Sequence, residues 1–263
     1  MLYDDQAAGF DERAAIPVEV VESVAAAVAE IAKLRQGDTL LEIGAGTGML
    51  SLPLIRQPIR YIGFDLSPAM LAIFREKVEK ARLHAELLVA DANGRWPAED
   101  GSVAAIFSAR ALHHVHVGHA AAETRRVLRP EGGWLLLGRV TRPSNSVKST
   151  LRLQMRKLLE EEGYTGRDHQ AYAEALFSAL EATGGERLGP RVAARWTRRH
   201  ALLDSITVWQ GKGGLAGHDI PEEVKDRVLG RLRAWAEERY GNPEAPLEQE
   251  EFFELDPIHV RAA

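Results

Sequence analysis

The chain reads as an α/β protein built on a doubly wound, mostly parallel sheet, and three observations say so. Short apolar runs recur at 39–43, 61–64, 85–90, 103–107 and 134–138. Helical periodicity fills most of the intervals between them. The first run also breaks into Gly44, Gly46 and Gly48 at the point where a strand should pass into a helix. Strands and helices alternating at this rhythm form a parallel sheet covered on both faces. At 263 residues the chain can bury one large α/β core with room for appended segments.

The elements follow in order. Residues 17–36 predict a helix: Pro17 suits its first turn, Val20, Val21, Val24, Val28, Ile31 and Leu34 recur on one face, and Gly37 is placed to end it. After the first strand and the glycine turn, a helix is expected to contain Leu50, Leu52, Leu54 and Ile55, with Pro53 early enough to cost little. The second strand ends on Asp65, and Ser67-Pro68 form an N-cap and first residue for a helix over 69–81. The third strand ends on Asp91 and the fourth near Ser108. A helix over 120–128 leads to the turn Pro130-Glu131-Gly132-Gly133 and the fifth strand. Beyond Val140 the rhythm breaks. Amphipathic helices are expected within 143–165, at 170–182 and at 221–240, with a strand near 191–198, a terminal strand over 251–261 and a mobile loop at 210–214.

Composition narrows the class. A formal net charge of −5 disfavours a nucleic-acid surface, where a basic stripe is expected. Cysteine is absent, which removes disulfides and thiolate metal sites. No apolar run reaches bilayer length and the first residues are acidic, so the expectation is a cytoplasmic protein without membrane contact.

Glycines at a strand-to-helix turn let a ligand approach the main chain. A dinucleotide fingerprint needs a small residue where Met49 stands, and a P-loop needs a Gly-Lys-Ser/Thr that is missing. Acidic or polar residues then end three successive strands, at Asp65, Asp91 and Ser108. In doubly wound sheets ligands bind outside such strand ends, where strand order reverses.

The run Glu42-Ile43-Gly44-Ala45-Gly46-Thr47-Gly48 resembles motif I of the class I S-adenosylmethionine-dependent methyltransferases, and the likeness extends over 38–140. The nearest subgroup in pattern is the ubiquinone-biosynthesis-like small-molecule enzymes. The resemblance implies a seven-stranded Rossmann-like sheet with helical lid insertions, its last strands at 186–197 and 249–262. It divides the chain into an N-terminal cap (1–36), a cofactor core (37–140), a helical insertion with a return helix (141–185) and C-terminal strands (186–263) with an insertion at 200–245. It also implies S-adenosyl-L-methionine as cofactor, held by Glu42, Gly44, Ala45, Gly46 and Gly48. Asp65 would hold the ribose hydroxyls, Leu66 and Met70 the adenine faces, and Asp91 with Ala92 the adenine edge. Ser108 belongs to the loop that meets the methionine moiety. Glu131 replaces the family's usual glycine in the turn before the fifth strand.

His113, His114, His116 and His119 lack a carboxylate that would complete a ligand set, so no metal is expected. His113 and His114 are either polar loop residues or a substrate contact and general base. The expected reaction is in-line methyl transfer to a small-molecule acceptor chosen by a lid from 1–16, 143–165 and 200–245, with Tyr3, Phe10, Arg13, Trp196 and Trp209 as candidate lining. The alternatives are a nicotinamide-dependent oxidoreductase and a non-catalytic S-adenosylmethionine-binding protein.

Overall fold

In a computed structural model, residues 7, 9–14, 16–165, 169–211, 213–242 and 244–261 are described. The chain divides into two compact units. The first takes in Met1–Arg139, His169–Ala194 and Phe253–Ala263; the second takes in Val140–Asp168 and Arg195–Phe252.

Unit 1 starts with α1 (Phe10–Ala14) and α2 (Val18–Ala32), whose buried face is Val20, Val21, Val24 and Val28. This helix ends earlier than expected. Lys33 takes the left-handed cap at φ 50°, while Gly37, at φ 84°, serves the following turn and donates its N–H to Pro58 O (2.9 Å). Next come β1 (Thr39–Ile43), α3 (Leu52–Ile55), β2 (Arg60–Asp65), α4 (Pro68–Lys80), β3 (Glu86–Val89), β4 (Ala105–Ala109), α5 (Val117–Val127) and β5 (Gly133–Thr141). The helix expected after the glycine turn shrinks to the single turn α3. Pro58 disfavours helical backbone at Gln57, and the chain must return to β2 at Arg60.

The remaining elements are α6 (Val147–Glu161), α7 (His169–Glu181), β6 (Glu186–Arg187), β7 (Arg191–Ala201), α8 (Leu202–Gln210), α9 (Glu222–Tyr240) and β8 (Pro246–Val260). The sheet has eight strands in the order β3-β2-β1-β4-β5-β8-β6, with β7 also on β8. The seven expected become eight because Gly189-Pro190 interrupts the segment read as one strand over 186–197. Proline cannot donate to a ladder, so the chain stops after Arg187 and resumes at Arg191. Strands β1 to β5 pair in parallel, and β6 meets β8 antiparallel with Glu186 opposite His259. The order reverses between β1 and β4, which places the ligand crevice of a doubly wound sheet at the carboxyl ends of those two strands.

Every residue of β1 is buried, as a strand covered on both faces requires. Ile43, Phe64, Trp96, Ile106, Leu135 and Phe177 lie in the unit 1 core. Unit 2 packs α6, α8 and α9 around Leu151, Met155, Leu158, Ile206, Trp209 and Leu232. Trp209 is therefore a core residue there. Tyr3 and the Arg13 side chain fall outside the described residues, as does Lys212 of the loop expected to be mobile. Gln210 ends α8. Among the described residues no helix is long and apolar enough to cross a membrane.

Candidate active site at the ends of β1, β2 and β4

Register brings the expected residues to one edge. Ile43 lies opposite Phe64 on one side and Ser108 on the other, and Asp65 lies opposite Val89. The bend after β1 is pinned by Gly44 N–H and Ala45 N–H, both donating to Phe64 O (2.9 and 3.0 Å). Gly44, Gly46 and Gly48 all take positive φ (70°, 53° and 72°), but for different neighbours. A Cβ on Gly44 would sit 2.1 Å from Ala111 Cβ, and one on Gly48 would enter the Phe74 ring at 2.1 Å. On Gly46 it would meet nothing nearer than 4.0 Å. Two of the glycines thus admit protein, and the third leaves room beside its main chain.

Asp65 joins this bend to β2. Its Oδ2 accepts from Gly46 N–H (2.8 Å) and its Oδ1 from Ser67 N–H (2.9 Å). Two carboxylate oxygens offer about four lone-pair sites, so each keeps capacity for a further donor such as a hydroxyl. Ser67 Oγ then accepts from Met70 N–H (3.2 Å), the N-cap that the Ser-Pro pair predicts. Met70 is buried; Leu66 is 44% exposed and presents an apolar surface beside Asp65.

Glu42 lies behind the turn, 3% exposed, and accepts from the Tyr61 hydroxyl (2.7 Å). Burial pushes its carboxyl up to about 7. The Tyr61 bond opposes that rise and the nearby Asp65 charge adds to it. The same burial, with Glu42 beside it, drives the Tyr61 hydroxyl well above its ordinary range.

Asp91 is exposed and caps the loop after β3, accepting from Asn93 N–H (2.9 Å). Ala92 is partly buried and its carbonyl accepts from Trp96 Nε1–H (2.9 Å). Ser108 is buried and its hydroxyl donates to Ile43 O (3.0 Å). That bond fastens the end of β4 to the end of β1.

His113 and His114 lie in a short 3-10 turn, Leu112–His114, with ring centroids 4.0 Å apart. Asn93 ties this turn to the β3 loop. Its Nδ2 donates to His114 O (3.4 Å) and its Oδ1 accepts from His116 N–H (3.1 Å). His119 sits against Gly94 O (2.8 Å).

Sequence reasoning missed Asn93, although an Asp-x-Asn sequence ending a strand is a turn signal. It also missed Asp11 of α1, for which nothing local gives notice. Asp11 accepts from Thr47 Oγ1–H (2.5 Å) and pairs with Lys77 of α4, while Lys77 also donates to Thr47 O (2.8 Å). The Arg110 guanidinium lies over the Phe10 ring at 5.3 Å.

Known proteins are similar to this chain. Residues 40–132 match a family model described as a methyltransferase domain. An uncharacterised methyltransferase of Mycobacterium tuberculosis is 34% identical over 93 residues, covering 35% of this chain and 36% of that protein. A demethylmenaquinone methyltransferase of Tropheryma whipplei is 32% identical over 124 residues, covering 47% of this chain and 50% of that protein. The chain thus spans between a third and a half of the length of these relatives. A solved putative methyltransferase from Bacillus halodurans shares the fold at a TM-score of 0.58 and 16% identity, over 91% of this chain and 99% of that one.

Proposed function

We propose that this chain, which carries a class I S-adenosylmethionine-dependent methyltransferase domain, transfers a methyl group to a small-molecule acceptor by in-line displacement. The observation that carries the reading is the contrast within the glycine turn. Gly46 combines a left-handed backbone with open space and an N–H held on Asp65, while its neighbours are closed by Ala111 and Phe74.

The residues present fit the cofactor. Asp65 has acceptor capacity for a vicinal diol beside the open face of Gly46. Leu66 and Met70 supply apolar surface for the adenine, and Asp91 with Ala92 supplies its polar edge. Glu42, Gly44, Ala45, Gly48 and Ser108 support the turn from behind. When bound, S-adenosylmethionine supplies an activated methyl group on a sulfonium with a thioether as leaving group.

The chain's own work is to hold the acceptor in line and keep water out, an orientation effect that reaches about 7–11 kcal/mol in favourable cases. An acceptor that holds its proton at neutral pH needs a base, and His113 or His114 takes that role. Acceptor choice falls to residues outside the core sheet. A net charge of −5 supports a small molecule over nucleic acid as acceptor.

Calorimetric titration tests the reading. S-adenosylmethionine and its demethylated product should bind, NAD should not, and Asp65→Asn should weaken both cofactor forms at least tenfold. No affinity of the folded protein for either form would sink it. Label passing from the cofactor to a metabolite extract separates an enzyme from a non-catalytic binder.

A further inference from the structure

Within unit 2, the inward face of the β7–β8 ribbon carries an unusual set of side chains. Arg195 and Arg199 of β7 reach Glu250 and Glu248 of β8, and Arg195 also lies over Phe252, so these residues share one face. Strand alternation puts Trp196, Arg198, Gln249 and Glu251 on the other. Glu251, 2% exposed, is paired by Arg142 at 2.6 Å. Lys148 and Arg152 also feel that carboxylate, with Arg198 acting on Lys148 and the exposed Arg156 on Arg152. The crowding has a consequence: burial, with Arg142 next, pushes the Lys148 ammonium down to about 8.

The neutral donors point the same way. Gln249 is 6% exposed, and its Oε1 accepts from Lys148 N–H (3.2 Å) in the first turn of α6. That bond fixes the orientation of the amide and leaves Nε2 as a buried donor without a partner among the described residues. Trp196 Nε1, in a residue 8% exposed, is likewise unpartnered. Buried donors are ordinarily satisfied, so two orphans beside an excess of cations call for an acceptor supplied from outside.

We propose that the inward face of β7 and β8, with Arg142 and Lys148, is a binding site for the phosphate or diphosphate group of a small molecule. A lone carboxylate offers two oxygens and one charge, too few for this set. A phosphate ester offers three oxygens and about two charges, and guanidinium groups bind it in paired fashion. The site stands independently of the methyl-transfer reading, since none of its residues belongs to the glycine turn or its aspartates.

Inorganic pyrophosphate titrated into the full chain, against chloride at matched ionic strength, tests the assignment. It should bind saturably and raise the midpoint of thermal unfolding beyond the chloride control. Arg198→Gln should weaken pyrophosphate at least tenfold, Gln249→Met should weaken it measurably, and both should leave S-adenosylhomocysteine affinity unchanged. Should Gln249→Met fold poorly, Arg198→Gln decides alone, because its side chain serves no buried ion pair among the described residues. A pyrophosphate effect no larger than that of chloride overturns the site, as does equal binding by wild type and Arg198→Gln. Acetate binding as tightly as pyrophosphate overturns the phosphate assignment. Lost S-adenosylhomocysteine binding with retained pyrophosphate binding counts against the cofactor reading and leaves this one standing.

Discussion

The glycine turn of unit 1 and the inward face of unit 2 are both polar regions inside an apolar fold, and they are built in opposite ways. Around the turn the main chain does the shaping. Gly46 N–H and Ser67 N–H occupy Asp65, Tyr61 occupies Glu42, and Ser108 closes on Ile43 O. In unit 2 side chains do the shaping, with Arg142, Lys148 and Arg152 near one buried carboxylate and two orphaned donors on the same face. A site made by backbone geometry can be complete without its ligand. A site made by converging charge is balanced only when something of opposite sign arrives.

The sharpest way to break the backbone side of this contrast is Gly48→Ala. Its Cβ would strike the Phe74 ring at 2.1 Å from a left-handed backbone, costing about 4 kcal/mol or more. Gly46→Ala should cost only about 1–2 kcal/mol, the penalty of the left-handed conformation itself. Urea unfolding of the two variants measures the difference, and equal losses would mean that Gly46 is packed as tightly as Gly48.

On the charged side, Arg142→Met removes the direct partner of Glu251 while Lys148 and Arg152 stay near it, and should destabilise the protein by about 3 kcal/mol, read by the same unfolding experiment. A loss below 1 kcal/mol would mean that water already reaches the pair.

Glu42 offers a test by pH. Its carboxyl ionises near 4.5 when the chain is unfolded and at about 7 when it is folded. Between those values the folded state holds the extra proton. Its contribution is therefore fully present below the lower value and is lost as pH rises through about 7, with a total span of about 3 kcal/mol. Glu42→Gln should flatten that part of the stability profile and gain most over wild type at pH 8. Parallel profiles for the two proteins from pH 5 to 8 would refute the burial argument. The smallest effect belongs to the α4 cap, where Ser67→Ala should cost about 1 kcal/mol by losing the bond from Met70 N–H, a shift seen in the urea midpoint.

The same contrast explains what the sequence discloses. Strand periodicity, the glycine spacing and the acidic strand ends are local patterns, so the strand ends near Glu42, Asp65 and Asp91 could be read in order. Ser108 was legible as a strand end, but its hydroxyl is spent on Ile43 O because β4 pairs with β1, a partnership 65 residues away. The extra strand was written in Gly189-Pro190, yet apolar and polar alternation alone does not show that a run will be cut. The unit 2 cluster was least legible. It assembles the end of β5, the start of α6 and two late strands, and Arg142, Arg198 and Gln249 carry no common spacing.

Asp11 has a consequence for the first helix. Through it α1 is fastened to Thr47 and Lys77, and Phe10 rests under Arg110, so two side chains of one short helix bridge the loop after β1, the helix after β2 and the loop after β4. A helix that short has no standing of its own once its side chains let go. Loss of the Asp11 and Phe10 contacts would therefore free α1 from the loop after β1 and the loop after β4 together.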